Sequence, residues 1–410
     1  MKCCDGLPQG GASVDKPPVR IGDVFRAHGE AYRRTHSLSA AQMRVMGHIE
    51  ACRTEVLGGH VDTCTRCGHK VASYNSCGDR HCPECQSFSQ AKWIEGRKQR
   101  ILPVGYFHTV FTLPAELRSV ARCNPKVVYE LLFKAAAETL LELGNDPKHL
   151  GGLLGLSAVL HTWTRELDFH PHLHVIVTAG GLAPNGETWI SSKPEFLFPV
   201  KVLGKLFRGK FLFALRRAHQ KGMLEFAGGC ADLDEKERFS SLIGKLYDTD
   251  WVVYCKEPFA GPGAVFEYLG RYTHRVGISN QRLISLDDQG VTFYTKGGNT
   301  KTLAPLEFIR RFLMHVLPKG FTKIRHFGLL APCNVNTKLD KAKQHLESAN
   351  PGAADALKNG QVLVSLRLES IRAGLEAVPA CPRCGCHKMN RVLVTTKRPV
   401  LGPGVKRDTS

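Results

Sequence analysis

This 410-residue sequence predicts an α+β fold around a largely antiparallel sheet, and three observations carry that prediction. Short runs of apolar–polar alternation recur and end at proline or glycine. Longer stretches with helical spacing lie between them. Two strand-like runs, RLISL and VTFYTK, are joined directly through DDQG at 287–290, as antiparallel neighbours are.

The elements follow in order. Residues 1–24 are polar, with no apolar core behind Lys2, so a flexible tail is expected rather than a secretory signal, and a cytoplasmic protein. Helix formers without proline at 25–50 predict one or two helices. YFHTVFTLP (106–114) reads as a strand stopped by proline, and PKVVYELLFKAAAETLLELG (125–144) as a helix ending on glycine. LSAVLHTWTREL (156–167) and HLHVIVTAG (172–180) read as two strands around a short turn. A Lys/Arg-rich helix at 201–222, the apolar segment 250–258, a helix near 262–273 and the pair at 282–296 complete the core. The implied division is a tail (1–24), a helical and zinc-binding module (25–92), a main domain (93–332) and a basic C-terminal tail (333–410).

Charge narrows the function. Lys+Arg number 56 against 37 Asp+Glu, a net +19, which points to a polyanionic partner. The longest apolar runs, at 127–133 and 151–160, fall short of the ~20 residues a membrane span needs, so nucleic acid is the expected partner.

Of fifteen cysteines, six fall between 52 and 85. Cys64/Cys67 and Cys82/Cys85 form two CxxC knuckles with 14 residues between them, the spacing of a closed four-thiolate zinc site. Cys52, His60, Cys77 and His81 surround it, either completing a second zinc site or lying near one. A further knuckle, Cys381 and Cys384 with Cys386 and His387 beside it, has no second knuckle downstream.

The segment FHPHLHVIV (169–177) places His172 and His174 on one face of a strand, about 7 Å apart along the chain. Two imidazoles on one face can chelate a divalent ion and leave positions open for substrate. Pro171 cannot donate to a sheet ladder, so His170 is expected at the turn. In AVFEYLGRYTHRVGI (264–278), Tyr268 and Tyr272 are four apart, as are Arg271 and Arg275. On a helix this is one face, and it equally suits an amphipathic core stripe. A phenol can also attack phosphorus while arginines hold the anionic oxygens.

HPHLHVIV, YNSCGDRHCPECQ, YLGRYTHRVGISNQR and PLEFIRRFLMHVLPKGFTKIRHFG (305–328) together resemble the transposases of insertion-sequence family ninety-one, across about residues 25–335. The first looks like the HUH (His–hydrophobic–His) motif. The resemblance implies an N-terminal zinc-binding domain and a ferredoxin- or RRM-like HUH nuclease domain. It implies rolling-circle transposition through single-stranded DNA, with Mg²⁺ or Mn²⁺ on His172, His174 and a third ligand, and with Tyr268 and Tyr272 as nucleophiles. For the third ligand His161 is favoured over Glu166, Asp168 and His170. Lys296, Arg310, Arg311, Lys319, Lys323 and Arg325, with Arg271 and Arg275, are candidates for the DNA backbone, and homo-oligomerisation stays open. Two other classes remain: a non-catalytic zinc-finger DNA-binding protein, and a zinc hydrolase, for which no HExxH carboxylate base is present.

Overall fold

The computed structural model describes residues 19–85, 93–256, 277–352, 355, 357–362, 365, 369 and 380–395. Two helices come first, α1 (Ile21–Thr35) and α2 (Ala40–Ala51). Helix α1 begins inside the segment expected to be a tail, because the Asp23 carboxylate accepts the Arg20 amide at 2.8 Å and closes the first turn. Helix α2 starts on a reciprocal cap: the Gln42 amide donates to Ser39 Oγ, and the Ser39 amide to Gln42 Oε1. A hairpin of β1 (Gly59–Cys64) and β2 (Lys70–Tyr74) follows.

The main sheet is formed by β3 (Tyr106–Thr112), β4 (Leu153–Trp163), β5 (Phe169–Leu182), the short β6 (Trp189–Ser191), β7 (Val253–Lys256) and a later strand, β11 (Ile324–Gly328). Helices α3 (Arg118–Cys123) and α4 (Pro125–Asn145) lie between β3 and β4. Helices α5 (Val200–Gln220) and α6 (Lys236–Asp248) lie between β6 and β7. Strand order is β11-β4-β5-β3-β7, with β6 added to β5 and every pair antiparallel. Taken as β3-α4-β4-β5-α5-β7, this is the β-α-β-β-α-β unit in ferredoxin-like order, extended at one edge by β11.

One face of that sheet is apolar. Phe107, Phe111, Leu173, Val175 and Val177 pack under α4 and α5, with Phe111 edge-on to Phe207 at 4.9 Å. The alternate residues, His108, His172 and His174 among them, turn to the other face. The two-residue period of a strand enforces this separation.

A second core joins α1 and α2 to a small sheet, β8 (Leu283–Asp287), β9 (Gly290–Tyr294) and β10 (Thr300–Leu303), and to α7 (Pro305–Leu313). Phe25 meets Phe312 there at 5.4 Å, and Leu167, from the β4–β5 turn, is buried in the same cluster. The helix expected near 262–273 lies outside the described residues. After α8 (Lys338–Ala349), β12 (Met389–Val394) pairs antiparallel with β1. Within the segment expected as a basic C-terminal tail (333–410), residues 389–394 complete a sheet, β12-β1-β2, with the N-terminal hairpin. Among the described residues no helix is long and apolar enough to cross a membrane.

Strand β11 ends on Gly328 at φ +59°, where a Cβ would lie 1.9 Å from the Leu154 carbonyl oxygen. Gly328→Ala is therefore expected to destabilise the fold by on the order of 3 kcal/mol. A urea unfolding midpoint equal to that of the parent protein would contradict this close approach.

Candidate functional site

The pairing of β4 with β5 sets His161 directly opposite His172, with Val159 opposite His174. The imidazole nitrogens of His161, His172 and His174 consequently lie within 4.8 Å of one another. The Nε2 atoms of His172 and His174 are 3.2 Å apart. An octahedral ion with ligands at about 2.1 Å holds neighbouring ligand atoms roughly 3 Å apart, so the spacing suits a metal. His172 Nδ1–H donates to the His170 carbonyl at 2.7 Å, leaving Nε2 as the ligating nitrogen. Burial holds His172 down at about 4 and His174 well below the ordinary histidine range, so both are neutral at physiological pH, as ligands must be.

Sequence reasoning missed His108. It sits on β3, its Nε2 is 2.8 Å from His174 Nδ1, and burial and Lys256 lower its pKa to about 3. The ring of His174 is thereby oriented from behind. The only sequence signal was a histidine at the third position of the alternating run YFHTVFT. Of the other third-ligand candidates, Glu166 pairs with Lys301 at 2.6 Å and Asp168 with Arg311 at 2.5 Å. His170 is corrected: it lies in β5, not at a turn. The strand runs through Pro171 because His170 and Pro171 together bulge opposite the single residue Thr162, where no ladder donor is needed. The Arg118 guanidinium donates to His170 Nδ1 at 3.2 Å.

The cysteines regroup. Cys82 and Cys85 cluster with Cys52 and Cys77, whereas Cys64 and Cys67 cluster with Cys381 and Cys384. The predicted set Cys64, Cys67, Cys82 and Cys85 is therefore corrected: after Cys64 the β1–β2 hairpin turns back and carries its knuckle toward β12. In the first cluster the Cys52–Cys85 and Cys77–Cys85 Sγ distances are each 3.6 Å. A zinc–thiolate tetrahedron with 2.3 Å bonds has edges of roughly 3.8 Å, so these four fit zinc. His60 and His81 join neither cluster. His60 Nε2 is 3.5 Å from Asp62, and His81 donates through Nδ1 to Asp79 at 2.9 Å while its Nε2 accepts the Leu317 amide.

Residues 24–113 match a model described as "Transposase zinc-binding domain", and residues 155–338 one described as "Putative transposase". A Sinorhizobium fredii protein named "Putative transposase y4qJ" is 44% identical over 397 residues, covering 95% of this chain and 98% of its own. The chain belongs to the IS91 transposase family. The transposase of insertion sequence element IS801 from Pseudomonas savastanoi pv. phaseolicola is 28% identical over 320 residues, 75% of this chain and 74% of its own. No solved structure matches.

In this transposase Tyr268, Tyr272, Arg271 and Arg275 lie outside the described residues. Several cations expected on the DNA face have partners within the protein. Arg325 makes a bidentate pair with Glu130 at 2.5 and 2.6 Å and lies over Phe133. Arg310 and Arg311 both bind Glu307. Lys323 is half-buried with its ammonium 5.0 Å from the Trp163 ring centroid; burial and Arg80 lower its pKa to about 7. Lys296 and Lys319 remain exposed.

Buried His315 supports the bulge, with Nδ1 3.2 Å from Thr162 Oγ1 and Nε2 3.4 Å from the Leu167 carbonyl. Burial lowers its pKa to about 4, below the roughly 6.5 of an unfolded chain. Its contribution to stability is complete above pH 6.5 and is lost as pH falls toward 4. His315→Gln should flatten the fall in urea midpoint between those limits; parallel curves would contradict this. His108→Ala is expected to weaken Mn²⁺ binding about 10–100-fold by calorimetry, and an unchanged affinity would remove the orienting role.

Proposed function

We propose that this transposase nicks and rejoins single-stranded DNA at the ends of its own mobile element, by an HUH-type, rolling-circle mechanism. The observation that supports it most is the convergence of His161, His172 and His174 on one sheet face, in a chain of the IS91 transposase family. Three imidazoles held this close suit a divalent cation such as Mg²⁺ or Mn²⁺, although imidazole favours zinc intrinsically. A divalent cation bound there would draw charge from the scissile phosphate.

The protein supplies the rest. The hydroxyl of Tyr268 or Tyr272 attacks phosphorus as the bond to the 3′ oxygen breaks, giving a 5′-phosphotyrosine and a free 3′-OH. One phosphate ester replaces another, so the linkage energy is kept, in line with the absence of a GxxxxGK[ST] loop. A second tyrosine four residues away allows another strand to be cut while the first is still held. Arg271 and Arg275 would hold the anionic oxygens.

The test is an SDS-resistant adduct formed with labelled single-stranded DNA and Mg²⁺, mapped to its peptide. Adduct on Tyr268 or Tyr272, lost in the double Tyr→Phe variant, is expected. His172→Ala and His174→Ala should abolish nicking while DNA binding largely persists, since binding rests on many phosphate contacts. Nicking at near parent rate in either histidine variant, or cleavage with no phosphotyrosine, would contradict the proposal.

A further inference from the structure

The knuckle sequences CTRCGH (64–69) and CPRCGC (381–386) lie at opposite ends of the chain, yet fold into the same turn. In each the first cysteine's amide donates to the carbonyl five residues on, Cys64 to His69 at 2.8 Å and Cys381 to Cys386 at 2.9 Å. In each the glycine's amide returns to that cysteine's carbonyl, Gly68 at 3.0 Å and Gly385 at 2.8 Å. Both glycines sit at positive φ, +71° and +70°, which a side chain would resist.

The turns face each other. Cys64 Sγ is 3.6 Å from Cys384 Sγ, and Cys67 Sγ is 3.5 Å from Cys381 Sγ. Disulfides need about 2.05 Å, so the four are thiols, whereas the separations approach the roughly 3.8 Å edge of a zinc–thiolate tetrahedron. Backbone amides aim at the sulfurs, as at Arg66 N to Cys64 Sγ (3.4 Å), the donors that thiolates require.

We infer that Cys64, Cys67, Cys381 and Cys384 form a second structural zinc site that fastens the two ends of the chain into one zinc ribbon. The strands around it agree. Strand β12 pairs with β1 from Cys64↔Met389 to Gly59↔Val394. Asp62, only 1% exposed, accepts at both oxygens from the Arg391 guanidinium at 2.7 and 2.9 Å, a bidentate pair across the β1–β12 boundary that the hairpin alone, with only His60 at 3.5 Å, lacks. The hairpin 59–74 thus matures only when the segment 381–394 has returned to it, and four donors of one soft kind select zinc over hard cations.

The test uses the full-length chain under reducing conditions. Metal analysis should find two zinc ions per parent chain, falling by one in Cys381→Ser/Cys384→Ser. In that variant Cys64 and Cys67 should become open to iodoacetamide, and amide exchange should quicken at 59–64 and 70–74. Unchanged zinc content in the variant overturns the site. Should the variant not fold, chelator titration of the parent protein decides. Protection against alkylation should be lost by Cys64, Cys67, Cys381 and Cys384 together, separately from Cys52, Cys77, Cys82 and Cys85. Loss in mixed groups, such as Cys64 with Cys82, overturns it.

Discussion

The register of β4 against β5 is the constraint on which the site depends. Because side chains alternate, a slip of one residue would turn His172 and His174 into the helical core and Leu173 onto the polar face. The register is held on both sides. Phe111, Leu173 and Phe207 fill the face under α4 and α5, while Leu167 at the β4–β5 turn is locked into the second core. The bulge at Pro171 then resets the strand, so that Thr162 and Leu167 can be gripped by His315 while His161 stays opposite His172.

The zinc module is not an appendage to that arrangement. The loop carrying Cys77, Cys82 and Cys85 also carries Asp79, which binds His48 at 2.8 Å and His81 at 2.9 Å. His81 in turn accepts the Leu317 amide, and Arg80 donates to the carbonyls of Pro318 and Phe321. Those residues lie between α7 and β11, the edge strand of the main sheet. The first cysteine cluster is thus tied by hydrogen bonds to a segment that leads into the edge strand of the histidine sheet.

Much of this was legible where the signal is local. The helix at 125–145, the hairpin through DDQG and the strand containing His172 and His174 follow from periodicity and punctuation. What escaped was pairing over long distance. Spacing made Cys82 the natural partner of Cys67, because sequence cannot reveal that a strand more than 300 residues away returns to β1. His108 was hidden for the same reason, since its importance comes from lying beside His174 across a strand boundary. The charge of Arg325 was legible, but not its bidentate pairing with Glu130, which lies 195 residues away in the chain.

The central claim, that strand register alone assembles a three-imidazole cation site, is tested most directly by pulsed electron paramagnetic resonance on the Mn²⁺-loaded full-length protein. Nitrogen couplings from three imidazoles are predicted, with one lost in His161→Ala and the other two retained. Bound Mn²⁺ without imidazole coupling, or a spectrum indifferent to His161, would contradict the account.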